Sequence, residues 1–296
     1  MVQKWTGKSR SKSFFHTIQI IFIKIGARSA AYFFLYFIAA FYTLLPSIRK
    51  NSSYYLKKRF SSDGKLKIFF RIYKLNLTFG KILMDRAVFG VKGDIKIISS
   101  AANKEKCRDL YLQNKGLIIL TAHCGSWQSA MSAFDFIEAE KFVVYHRSKE
   151  DIDKHVHELS QKSSPINFID PQNNYGGSVE IMAALQRGAI VCMMGDRTFG
   201  GKNNALLVNF FGEKAAFPFS IYRIAAALKI PIAVIFFPYR GRGKIDSFIA
   251  DTFFVEDKGR KAENYFDEVR HFALLLEDFC MEYPYQFYNY FNMWEE

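Results

Sequence analysis

Four cysteines are spread through 296 residues, Cys107, Cys124, Cys192 and Cys280, with no C-x-x-C pair among them. Such spacing excludes a disulfide framework and predicts reduced, intracellular thiols. Cys124 follows His123 directly, so a thiol nucleophile is one reading of it and a small buried space filler the other. The second is favoured, because adjacent residues rarely point their side chains at each other. No cluster has zinc-ligand spacing, and neither H-E-x-x-H nor H-x4-H occurs, so no metal is expected. A G-x-S-x-G elbow is also missing, which counts against a serine hydrolase acting on lipid esters or thioesters. No A-x-A site follows the N-terminal apolar run, so a cleaved secretory signal is not expected. No internal repeat is visible.

What is abundant is apolar and basic. Half of the residues are hydrophobic and 17% are aromatic, with 31 Phe and 16 Tyr, more than a soluble core needs. Lys and Arg number 41 against 28 Asp and Glu, a formal charge of +13. An acidic carrier protein, an anionic membrane surface or a nucleic acid would each answer that charge. The aromatic excess points to the membrane, since rings are favoured at the boundary between acyl chains and headgroups. Nucleic acid rests on charge alone and is set aside.

The first 28 residues carry six Lys or Arg and no acid, and residues 29 to 48 then run uncharged for twenty positions. That length suffices to cross a bilayer as a helix. Basic residues on both flanks disfavour a clean crossing, so the reading is a helix lying in or dipping into the cytoplasmic leaflet, with a true span as the alternative. Residues 54 to 90 interleave Lys and Arg with Phe, Leu, Ile and Tyr at helical spacing. They suit a core helix with a solvated face or further membrane contact, and the adjoining apolar run favours contact. The chain thus divides into a basic, aromatic, membrane-associating segment, 1–60, and a single α/β domain, 61–296.

From residue 116 short apolar runs alternate with helical patterns. Strands are predicted at 116–123, 141–146, 166–170, 189–196 and 231–239. Helices are predicted at 126–138, 151–161, 178–188, 217–230 and 261–282, before the aromatic tail. The pattern is that of an α/β fold, a mostly parallel central sheet flanked by helices. Ligands of open α/β sheets bind beyond the carboxyl ends of the strands. Two strands end there in polar residues, His123 and Asp196, which meet if the strands are neighbours.

His123 is a satisfied core histidine or a general base, and its surroundings favour the base. Gly125 permits a tight turn, and Ser126 and Trp127 open a predicted helix whose free N–H groups would favour negative charge. Asp196 reads as a cap, an ion pair with Arg197, or a functional carboxylate, the last preferred. The Gly-rich, basic stretch 195–204 suits a phosphate or a turning loop and matches no P-loop spacing. Phe210, Phe211 and Gly212 read as a hydrophobic lip or as core. His155 and His157 are expected on the surface.

Five blocks in order resemble the bacterial lipid A late acyltransferase family, the lauroyl and myristoyl transferases within the glycerolipid-type acyltransferases. They are WTGKSR (5–10), HCGSWQ (123–128), MMGDRTFGG (193–201), FFGEKAAFP (210–218) and PYQFYNYFNMW (284–294). The resemblance implies transfer of a fatty acyl group from acyl carrier protein or acyl-CoA to a hydroxyl or amine of a membrane lipid, at the cytoplasmic face of the bacterial inner membrane. It implies no metal and no cofactor. The family motif places an acid five positions after the histidine, where this chain has Gln128, and an amide cannot carry the charge that stabilises an imidazolium. Either Asp196 supplies the carboxylate to His123, or the chain is a degenerate relative that binds lipid without turnover. In the active reading N–H groups near Gly125 or the side chain of Gln128 hold the oxyanion, and Arg197 takes a headgroup or carrier phosphate. Gly125, Trp127, Gln128, Arg197, Phe210, Phe211 and Gly212 are then the expected substrate contacts.

Overall fold

The computed structural model describes residues 28–92, 96–114, 116–129, 131–146, 166–173, 177–198 and 204–294. The basic segment 1–27, the expected helix with His155 and His157, and residues 199–203 of the Gly-rich loop lie outside them.

Three helices come first: α1 (Arg28–Leu44), α2 (Pro46–Arg59) and α3 (Lys65–Lys92). The apolar run 29–48, expected as one helix, is two. Leu45 is extended ahead of Pro46, because a residue before proline is pushed out of the helical region, and proline suits the first turn of the next helix. The two helices meet at 91°, and no single described helix is long and apolar enough to cross a membrane, although this bent pair is by length and composition. One face of α1 packs Ala31 and Leu35 against Met84 and Val88 of α3. Tyr55 and Leu56 of α2 reach the main core.

The remaining elements are β1 (Lys96–Ser99), α4 (Ala101–Asn114), β2 (Leu117–Thr121), β3 (Lys141–Val144), β4 (Ile166–Ile169), α5 (Ser178–Gln186), β5 (Ile190–Met194), β6 (Ala205–Phe210), β7 (Glu213–Pro218), α6 (Ser220–Leu228), β8 (Ile232–Phe236), β9 (Tyr239–Gly241), β10 (Lys244–Phe253) and α7 (Phe266–Glu282). The central sheet runs β1-β10-β8-β2-β5-β3-β4, with β9 paired to β10. From β8 to β4 every pairing is parallel, and the continuous apolar runs of β2 and β8 are buried along their whole length. Such runs belong to strands covered on both faces, as the sequence predicts. The antiparallel β10, kinked by a register shift between Ile249 and Asp251, makes the sheet mixed.

Several expectations are corrected. Residues 126–138 form two 3-10 turns, Trp127–Ser129 and Met131–Phe134, in place of an α-helix. The N–H groups of Gly125 and Ser126 donate to the carbonyls of Gln286 and Phe237, so distant chain segments fix the path where a helix would begin. Phe217 and Pro218 end β7, and the helix after them starts at Ser220. The last helix is preceded by a 3-10 turn at Ala262–Tyr265. The β6–β7 hairpin and β10 are not predicted by the sequence, because their half-exposed patterns show no long apolar run.

Candidate active site

Strands β2 and β5 are parallel neighbours, and the offset that pairs Leu117 with Ile190 and Thr121 with Met194 continues to His123 and Asp196, 73 positions apart. Both residues therefore leave the carboxyl edge of the sheet at the same level. Asp196 is fully buried, and its carboxylate faces His123 Nδ1 at 2.9 and 3.1 Å. The same carboxylate accepts the His123 backbone N–H at 3.1 Å, so it fixes both the ring and the chain that carries it.

Burial pulls the imidazole of His123 below its ordinary pKa, the nearby Arg197 charge pulls it further, and Asp196 opposes both. Burial pushes the other way on Asp196, but the charge and hydrogen bonds of His123, helped by Arg197, outweigh it and leave the carboxyl below its usual range. The pair is thus poised with Asp196 ionised and His123 neutral near neutral pH. With Nδ1–H donating to Asp196, Nε2 holds the lone pair. The His123 side chain is 13% exposed.

Gly125 has φ of +54°, and a Cβ there would stand 2.1 Å from the Phe237 carbonyl oxygen, so only glycine fits. Its N–H is taken by the Gln286 carbonyl at 2.8 Å, and those of Cys124 and Ser126 are taken by Ala122 and Phe237. These three amides are committed to the fold and are not free for an oxyanion. Trp127 is buried, with its ring 5.4 Å from that of His123 and stacked parallel to Phe79 at 6.4 Å. Gln128 is half-buried, and its carboxamide oxygen is buried with no hydrogen-bond partner among the described residues. Burial raises the Cys124 thiol well above its ordinary range, so it is not a nucleophile at neutral pH.

Arg197 donates from Nη2 to the Tyr288 carbonyl at 3.0 Å and lies over the Phe291 ring at 5.5 Å. Phe210, Phe211 and Gly212 form the turn of the β6–β7 hairpin, and Phe210 packs against Phe287, which bridges to Cys124. Phe211 and Gly212 both have positive φ, as the two central residues of a type I′ turn require. The Phe211 N–H donates to Glu277 at 2.7 Å, and Phe210 is fully buried against Phe217, Phe287 and Trp294. The structure therefore unites His123, Asp196, Arg197 and Trp127, with Gly125 and Gln128 in the adjoining turns, and puts the Phe-Phe-Gly turn in aromatic packing.

The aromatic tail has a role that the sequence did not reveal. Phe287 bridges to Cys124, the Tyr288 N–H donates to the His123 carbonyl at 2.8 Å, and the Gln286 carboxamide bonds both backbone groups of Tyr239. The tail thus forms one wall of the site. A second pair at the rim, His146 and Asp170, ends the predicted strands KFVVYH and INFID, a signal of the same kind as His123 and Asp196. Among the described residues no group of His, Cys, Asp or Glu is arranged to hold a metal ion.

Comparison with protein families matches residues 78–287, more than two thirds of the chain, to the bacterial lipid A biosynthesis acyltransferases. That stretch contains both His123 and Asp196. No curated protein matches the chain.

Proposed function

The chain belongs to the bacterial lipid A biosynthesis acyltransferase family, and from that premise we propose that His123 and Asp196 form the dyad of a membrane-associated acyl transfer. The donor is an acyl thioester, on acyl carrier protein or coenzyme A, and the acceptor is a hydroxyl or amine of a membrane lipid. The observation that carries the reading is the 2.9 Å contact between Asp196 and His123 Nδ1, which supplies from the next strand the carboxylate that Gln128 cannot.

In this mechanism His123 Nε2 takes the proton from the acceptor as its oxygen or nitrogen attacks the thioester carbonyl. A bond forms to the carbonyl carbon, and the electron pair moves to the oxygen. Asp196 stabilises the imidazolium that results. Collapse of the tetrahedral intermediate breaks the C–S bond, and the leaving thiolate takes the proton back from Nε2. With the amides of Cys124, Gly125 and Ser126 engaged, the side chain of Gln128 is a local candidate for holding the acceptor or the oxyanion. Burial, and after it the charge of Arg197, keeps the imidazole deprotonated before the attack.

Association with the cytoplasmic face of the inner membrane is part of the same proposal. Its support is the row of exposed rings on α1, with Phe33, Phe37 and Phe41 spaced four apart and each more than half exposed, next to the basic α2. A non-catalytic lipid-binding role has the substitution at Gln128 in its favour, but leaves a buried, ionised Asp196 on an imidazole without a purpose.

The test uses membranes containing the protein, acyl carrier protein loaded with a labelled acyl chain, and a total lipid extract. Label moves to lipid with the native protein and not with His123→Ala or Asp196→Ala. If Asp196→Ala keeps full activity while Gln128→Ala abolishes it, the acid is misassigned. If native protein transfers nothing from either acyl carrier protein or acyl-CoA, the lipid-binding role takes its place.

A further inference from the structure

Two strands beyond β2, the same edge of the sheet carries another histidine and aspartate. His146 follows the end of β3, and Asp170 follows the end of the adjacent β4. Both carboxylate oxygens of Asp170 face His146 Nδ1, at 3.1 and 3.2 Å. The geometry repeats that of the buried dyad, with the same ring nitrogen engaged.

The register fixes how the two pairs are related. Lys141 of β3 pairs with Ile190 of β5, and continuing that offset sets His146 level with Gly195, one residue before Asp196. The strand order β2-β5-β3 puts the backbones of His123 and His146 two strand spacings apart, about 10 Å. Both thus edge the crevice in which ligands of open α/β sheets bind.

The second pair is held in place and open. The Gln172 N–H donates to Asp170 at 2.8 Å, and Gly177, at φ of +71°, lets the chain fold so closely that a Cβ would stand 3.1 Å from the Asp170 carbonyl oxygen. The side chains of His146 and Asp170 are nevertheless about one third exposed. A partly exposed histidine–carboxylate hydrogen bond of this kind contributes little to stability, so its fixed geometry asks for another use.

We infer that His146 and Asp170 position the acceptor, with His146 Nε2 accepting a hydrogen bond from a second hydroxyl of a hydroxylated lipid headgroup while His123 acts on the reacting group. Asp170 holds the Nδ1–H, so Nε2 presents a lone pair, which suits a hydroxyl donor and not a quaternary ammonium group. The inference rests on the acyl-transfer reading for the identity of the ligand as acceptor, and on the rim geometry alone for binding of a hydroxyl.

Two measurements separate these dependencies. In the transfer assay, His146→Ala and Asp170→Asn raise the lipid extract concentration needed for half-saturation about tenfold, the loss of one or two hydrogen bonds, and leave the maximum rate within about twofold. Half-saturation by the acyl carrier protein donor stays unchanged. A collapse of the maximum rate like that of His123→Ala, or no change in either quantity, overturns the inference. The second measurement needs no turnover. Full-length, histidine-labelled protein in lauryldimethylamine oxide micelles is titrated with octyl glucoside, and the ring signals of His146, assigned with His146→Gln, are followed by NMR. They shift with octyl glucoside and stay in place with octyltrimethylammonium. Shifts without transfer sink only the enzymatic reading; transfer without shifts sinks only this inference.

Discussion

The backbone N–H of Tyr288 donates to the carbonyl of His123 at 2.8 Å, tying the carboxyl-terminal tail to the end of β2 at the residue that bears the imidazole. Gln286, two positions earlier, clamps Tyr239 by both backbone groups and gives its own carbonyl to Gly125. Gln286→Ala would leave the buried N–H and C=O of Tyr239 without their partners. The expected cost is about 1–3 kcal/mol for each group left unsatisfied. Thermal unfolding checks this, and an unchanged Tm would show that the tail is not anchored here.

Asp196→Asn keeps shape and volume but replaces an acceptor-only carboxylate with an amide. The amide can donate to Nδ1 and stabilise the wrong tautomer, leaving the proton on Nε2 where a lone pair is needed. The maximum rate of acyl transfer should fall about a hundred- to ten-thousand-fold with little change in half-saturation. Gln128→Glu, by contrast, should not rescue Asp196→Asn, because the Nδ1 edge of His123 faces β5. Rescue would show that a carboxylate at 128 reaches the imidazole.

The parts of this site that were legible in the sequence are those encoded by local pattern. LIILT and IVCMM are apolar enough to name themselves as buried parallel strands, and a polar residue just past each end names the rim. That they are neighbours, and in which register, depends on the whole sheet and could only be assumed. The turn after His123 was misread because SWQSAMSAF has acceptable helix formers, while the hydrogen bonds that decide its path come from Phe237 and Gln286, more than a hundred residues away. Phe210 and Phe211 look alike to a pattern reader as lip or as core. Only the partners on β7 and in the tail, Phe217, Phe287 and Trp294, distinguish the two.

The pH dependence of transfer follows from the sign of the shift at His123. A general base works when neutral, so activity is lost as pH falls through its pKa. Burial and then Arg197 lower that pKa from the ordinary value of about 6.5, which puts the acidic limb of kcat/KM below it. Arg197→Gln removes a positive charge that disfavours the imidazolium, so the limb moves to higher pH. Arg197→Lys retains the charge and leaves the limb nearer its native position. A limb that moves to lower pH in Arg197→Gln would contradict this electrostatic account.

Gly125 allows a sharper structural prediction. In Gly125→Ala the new methyl meets the Phe237 carbonyl at 2.1 Å in a left-handed backbone that alanine disfavours. The conformational cost alone is about 1–2 kcal/mol, and relief of the clash must shift the very segment that Ser126 and Phe237 hold together. The variant should unfold at markedly lower temperature than Gly212→Ala. Gly212 also has positive φ, at +80°, but open space around it. Equal Tm losses in the two would mean that backbone conformation, and not the close approach, is what position 125 requires.

The exposed face of α1 predicts how the protein meets lipid. Phe33, Phe37 and Phe41 follow one another at four-residue steps, 57–61% exposed, with the rings of Phe33 and Phe37 in edge contact at 5.2 Å. Burying a large apolar side chain is worth about 1.5–3 kcal/mol, so three rings together should dominate partition into a bilayer. Replacing all three by serine should leave the fold intact, because the opposite face of α1, through Ala31 and Leu35, makes the contacts with α3. Floatation with vesicles containing anionic lipid should then recover far less of the variant than of the native protein. Raising the salt should weaken the native protein's binding only in part, since screening removes the contribution of exposed Arg49, Lys50 and Lys57 of α2 but not that of the rings. Undiminished floatation of the triple variant would assign membrane binding to other residues and leave the stripe on α1 free for a protein partner.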